Sequence, residues 1–74
     1  MTQAVILVKI DAENTTKFVD NAKKLEEVVE VYSVFGRFDC VVFVAAENIE
    51  GVKSIARKLG GCKGVKNTET LVEG

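Results

Sequence analysis

Two stretches of this chain, Gln3–Ile10 and Cys40–Ala46, are mostly apolar on both of their alternating sets of side chains. In the first, Ala4, Ile6, Val8 and Ile10 form one set, and Val5 and Leu7 with Lys9 form the other. In the second, Val41-Val42-Phe43-Val44 has no polar position at all. Successive side chains of a β-strand point to opposite faces, so a strand that is apolar throughout needs cover on both. Both stretches are therefore expected as central strands of one sheet, and the rest of the chain has two faces to account for.

The remaining elements follow from periodicity. Phe18, Ala22 and Leu25 recur at helical spacing, with Asp20, Lys23, Lys24 and Glu27 for the wet side. Asn14, Thr15 or Thr16 supplies a cap, and the helix is expected to end near Glu26 or Glu27. Val28–Phe35 reads as an edge strand, with Val29, Val31, Ser33 and Phe35 on one side and Val28, Glu30, Tyr32 and Val34 on the other. Asn48 caps a second helix with the stripe Val52, Ile55, Ala56 and Leu59, which Gly51 weakens slightly. Gly60-Gly61 is expected to supply a left-handed end, and Val65–Val72 is the fourth strand. The order is βαββαβ, one strand–helix–strand unit performed twice. It predicts a ferredoxin-like α+β fold over residues 1–74 as one domain, a four-stranded antiparallel sheet with both helices on one face. Two helices leave the other face bare. A second copy packed sheet on sheet is the simplest cover, which gives a dimeric α+β barrel.

Composition narrows the function. A 74-residue chain buries only about 60% of its unfolded surface, another reason to expect self-association. Ten basic and 11 acidic residues give a net charge of −1, with no basic face for nucleic-acid phosphates. Lys23-Lys24 and Arg57-Lys58 fall at helix ends, where they compensate the dipole. Histidine is absent, and Cys40 and Cys62 are too far apart in sequence for a paired metal site. They read as two reduced, packed thiols. No cofactor is expected. Met1–Ile10 has no basic leader and is too short to span a bilayer, so a cytoplasmic location without membrane association is expected.

Between the second and third strands lies Val34-Phe35-Gly36-Arg37-Phe38-Asp39-Cys40, a glycine followed closely by an aspartate, which reads as a hairpin turn. Compared with the octapeptide of RNA-recognition domains, it has valines where stacking aromatics are needed. A heavy-metal module of this topology carries paired cysteines after the first strand, where this chain has Asp11-Ala12-Glu13-Asn14. Tyr32, Asp39 and Glu69 are candidate acid–base groups without a telling spacing, so no enzyme is expected. Two alternatives stay open for the turn. Gly36 and Asp39 shape a hairpin, or the exposed backbone and the Asp39 carboxylate bind the charged groups of an amino acid.

The run Glu27-Val28-Val29-Glu30-Val31-Tyr32-Ser33-Val34-Phe35-Gly36-Arg37-Phe38-Asp39-Cys40-Val41-Val42 resembles the centre of the Lrp/AsnC effector domain, a valine-rich strand followed by Gly-x-aromatic-Asp. Gly64-Val65-Lys66-Asn67-Thr68-Glu69-Thr70-Leu71-Val72 is similar to that family's closing Gly-Val-x-x-Thr-x-Thr segment. The resemblance extends from Ala4 to Val72 and begins directly at the first strand, without the family's helix-turn-helix, as in its stand-alone form. It implies a homodimer that assembles further into rings, an amino-acid effector bound between dimers, and full-length Lrp/AsnC regulators as partners. It places Phe35, Gly36 and Asp39 on one side of the ligand and Thr68, Glu69 and Thr70 of a neighbouring subunit on the other. Two other classes remain: an assembly module without a small ligand, and a small dimeric α+β enzyme.

Overall fold

The computed structural model describes residues 1–72. The strands are β1 (Thr2–Ile10), β2 (Val28–Ser33), β3 (Cys40–Ala46) and β4 (Val65–Val72), and the helices are α1 (Thr15–Lys23) and α2 (Ile49–Gly60). The sheet order is β2-β3-β1-β4 with every pairing antiparallel, so the two apolar strands are central, as expected.

The two faces of the sheet differ sharply. Ala4, Ile6, Val8 and Ile10 of β1 and Cys40, Val42, Val44 and Ala46 of β3 are buried with Phe18 and Ala22 of α1 and Val52, Ile55 and Leu59 of α2. No polar or charged side chain of the described residues is buried. Each large apolar side chain buried here contributes roughly 1.5–3 kcal/mol, and this one-sided core holds the chain together. The opposite face carries Val5, Leu7, Val41 and Phe43, flanked by Tyr32 on β2 and Leu71 on β4. Phe43 is 37% exposed, Tyr32 49% and Leu71 53%, so this side is apolar and open.

The helix ends differ from expectation. α1 stops at Lys23, because Lys24–Glu27 folds into a connector in which Leu25 N–H donates to Ala22 O (3.1 Å) and Val28 N–H to Leu25 O (3.1 Å). The connector after α2 repeats these two hydrogen bonds, with Cys62 N–H on Leu59 O (3.2 Å) and Val65 N–H on Cys62 O (3.2 Å). Cys62 thus does for α2 what Leu25 does for α1, packing against the edge of the core. The left-handed residue is Gly64 (φ +87°), while Gly61 at the helix end keeps a right-handed φ of −86°. A Cβ at Gly64 would stand 2.6 Å from Asn14 Nδ2. Asn14 makes no capping side-chain bond; a 3-10 turn over Ala12–Asn14 leads into α1, and the Thr15 hydroxyl donates back to Asp11 O. Asn48 caps α2 as expected, its Oδ1 accepting from Gly51 N–H at 3.0 Å. Gly51 is required by packing, since a Cβ there would lie 2.8 Å from Ala46 Cβ.

β2 departs from simple alternation. Val28 pairs with Val44 but Glu30 with Phe43, so Val29 is an extra residue, a β-bulge. Val28 and Val31 consequently share the helix-covered face, and Val29 stands 65% exposed. The expected grouping of Val29 with Val31, Ser33 and Phe35 is thereby corrected. β4 has the same irregularity: Ile10 pairs with Val65 and Lys9 with Asn67, leaving Lys66 extra. The repeat seen in the sequence therefore extends to the second residue of each outer strand.

Candidate functional site

β2 ends at Ser33, two residues before its expected limit, and Val34–Asp39 form a loop in place of a tight turn. Asp39 closes it. Val34 N–H donates to Asp39 O (2.9 Å), and Asp39 N–H donates to Val8 O (2.9 Å). The Asp39 carboxylate also accepts from Ile10 N–H, at 2.9 Å through Oδ2. One residue thus ties the loop to the end of β1 by backbone and side chain together. Its charge, with burial as the larger cause, pushes the thiol of the adjacent Cys40 above the ordinary range. Both cysteines are free, Cys40 buried and Cys62 half-buried.

The tip projects away from this anchor. Phe35 is fully exposed, and Gly36 takes φ +133°, with nothing within 4 Å of where a Cβ would sit. That backbone conformation suits glycine and leaves the main chain open to an approaching molecule. Arg37 is exposed, and its carbonyl lies 3.5 Å from Lys9 Nζ. Lys9 was not among the candidate residues. Its signal is that it is the one charged residue of β1, inside the apolar run from Ala4 to Ile10.

The β4 candidates divide between faces. Thr68 pairs with Val8 and Thr70 with Ile6, so both lie on the helix-covered side, half-buried, while Glu69 lies opposite Leu7 on the open side. Val8 is the hinge of the arrangement, with Thr68 as register partner on one side, Cys40 on the other, and its carbonyl bonded to Asp39. The loop and the start of β4 therefore share one end of the sheet, separated by β1. Phe35 and Gly36 point outward from that end.

A groove of about 590 Å³ lies at the other end, lined mainly by Val5, Val29, Phe43 and Leu71 with Gln3 and Glu30. At its margin the Tyr32 ring meets Phe43 edge to face, centroids 5.9 Å apart, and the Tyr32 hydroxyl donates to the Glu30 carboxylate. That hydrogen bond raises the tyrosine pKa. Tyr32, Asp39 and Glu69 occupy an outer strand, a loop and the opposite outer strand, with two strands between the two edges. Among the described residues no group of three or more His, Cys, Asp or Glu side chains is placed to hold a metal, and no helix is long and apolar enough to cross a membrane.

The sheet, its one-sided helices and the glycine–aspartate corner define a ferredoxin-like α+β domain. The chain belongs to the Lrp/AsnC family: the family model described as the Lrp/AsnC ligand binding domain matches residues 3–73. It is 35% identical over 69 residues to the HTH-type transcriptional regulator FL11 of Pyrococcus abyssi, covering 93% of this chain and 46% of the regulator. It thus spans about half the length of that relative. Among solved structures, TTHA0845 of Thermus thermophilus superimposes with a TM-score of 0.94 at 28% identity, covering 100% of this chain and 94% of that one. The transcriptional regulator NMB0573 of Neisseria meningitidis, solved as a complex with L-Met, shares the fold with a TM-score of 0.85 at 19% identity, covering 97% of this chain and 49% of that one.

Proposed function

We propose that this chain is a non-enzymatic amino-acid-binding and oligomerisation module, residues 1–74 acting as one unit. It dimerises through the open face of its sheet and takes an amino acid where one dimer meets another. The carrying observation is geometric. Phe35, the Gly36 backbone and Asp39 sit at the end of the sheet where β4 begins, and Thr68–Thr70 run from beside Val8 to mid-sheet beside Ile6, with β1 between them and the loop. A neighbouring copy brings its β4 to the loop that this copy's own β4 does not reach. The complex of the N. meningitidis regulator with L-Met supports the ligand class, and likeness to HTH-type regulators supports an effect on transcription through full-length family members. On this reading the chain is cytoplasmic and does not bind DNA itself. Binding at such a contact favours one assembly over another by linkage.

The engagement of the Asp39 carboxylate by Ile10 N–H favours a second reading, in which the corner only shapes contacts between subunits. Calorimetry with the common amino acids, combined with sizing, separates the two. Binding heat accompanied by a ligand-dependent change of size is expected. No heat and no change with any amino acid rejects the ligand reading.

A further inference from the structure

We infer that the amino acid preferred at this contact carries a net negative charge, a dicarboxylic amino acid such as glutamate or aspartate; the inference rests on the site proposed above. That site joins like ends, because the loop and the start of β4 both lie where Ile10 pairs with Val65 and Val8 with Cys40. Lys9, Arg37, Lys63 and Lys66 are exposed at that end, and Arg57 and Lys58 finish α2 there.

The carboxylates nearby do not balance them. Asp11 is already paired with Lys66, Oδ1 to Nζ 3.2 Å. Asp39 accepts from Ile10 N–H but keeps its charge, and offsets one of these cations. Glu69 points to the open face beside Leu7, and Glu13 sits in the turn before α1, on the helix side. Lys9, Arg37, Lys63, Arg57 and Lys58 then stand against Asp39, Glu13 and Glu69, with the Lys9 ammonium held at the loop by the Arg37 carbonyl, 3.5 Å away. The chain as a whole carries −1, yet this end exposes more cations than carboxylates, a local basic surface not expected from the net charge. At the opposite end, where α1 finishes and α2 begins, Glu26, Glu27, Glu47 and Glu50 stand beside Lys23, Lys24 and Lys53, so charge there is closer to balance.

Two such ends brought together place cation against cation as water is squeezed out, which strengthens the repulsion. A zwitterionic ligand adds no net charge there, and a basic amino acid adds to the strain. A dicarboxylic amino acid puts its surplus negative charge where the repulsion is greatest. Its binding and the dimer–dimer contact then reinforce each other, the same coupling acting in both directions.

The test is calorimetry of the full chain with L-glutamate, L-aspartate, L-leucine, L-methionine, L-lysine and L-arginine, with sedimentation velocity at low and high salt. Glutamate or aspartate is expected to bind at least tenfold more tightly than the uncharged amino acids, and lysine and arginine more weakly still. Without ligand, assembly beyond the dimer should increase with salt, since the screening length falls from about 10 Å at 0.1 M to about 3 Å at 1 M. Arg37→Glu and Lys9→Glu, both at exposed positions, should each weaken glutamate binding tenfold or more with an unchanged circular dichroism spectrum. Tighter binding of an uncharged or basic amino acid overturns this inference but leaves the proposed function standing. Glutamate affinity indifferent to both variants also overturns it. If no amino acid produces heat or a change of size, the proposed function itself falls.

Discussion

Asp39 engages the sheet through its N–H, its carbonyl and one carboxylate oxygen, bonded to Val8, Val34 and Ile10 respectively. A substitution here therefore acts on folding as well as on any ligand. Asp39→Ala leaves the Ile10 N–H without its partner, and an unpaired donor of this kind costs roughly 1–3 kcal/mol. Asp39→Asn keeps an oxygen acceptor and removes the charge. In urea unfolding, Asp39→Ala is expected to lose about that amount and Asp39→Asn much less. Calorimetry on Asp39→Asn then reports the contribution of the charge to binding with the corner intact. Equal stability losses in the two variants would show that the Oδ2 bond to Ile10 contributes nothing.

At the scale of elements, the pattern of apolar side chains identified every strand and both helices, because β1 and β3 could only be central and the stripe of α2 could only face a sheet. What remained hidden was local. A bulge adds one residue without a residue type to mark it, so Val29 and Lys66 look like ordinary strand positions. Gly60-Gly61 resembles a left-handed helix end, yet the chain turns left-handed only at Gly64, after the Cys62 connector has formed. Gly36 and Asp39 resemble a tight turn because both are turn formers, and only the tertiary bond to β1 reveals the longer loop. Gly36 and Asp39 were legible as a possible ligand corner from their own chemistry, Phe35, Thr68, Glu69 and Thr70 only through the resemblance, and Lys9 only in the structure. Gly64 provides a direct check. Gly64→Ala combines a left-handed φ, worth about 1–2 kcal/mol for a residue with a Cβ, with contact against Asn14. It should lower stability by at least that amount in chemical denaturation, whereas Gly60→Ala, with only a distant methyl nearby, should lower it little.

For the molecule as a whole, the exposed face of the sheet is the surface through which the proposed dimer forms. Val5, Leu7, Val41 and Phe43 form a strip that water covers in an isolated copy and a second sheet covers in the proposed dimer. Phe43→Glu sets a charge in the middle of that strip while leaving the helix-side core untouched. Sedimentation equilibrium is expected to show a shift from dimer to monomer, with the far-ultraviolet circular dichroism retained. A Phe43→Glu chain that remains dimeric would locate the interface elsewhere.

The extra residues Val29 and Lys66 bear on this as well, since each kinks an outer strand one step from its start. A kinked margin cannot lie flush along another strand over its full length, and Lys66 sets a charge on one of the two. Lengthening of the sheet by addition of further chains meets the same obstacle on both sides. On the proposed reading, a sheet guarded at its margins and apolar across its breadth steers copies of this chain toward closed particles and away from fibres.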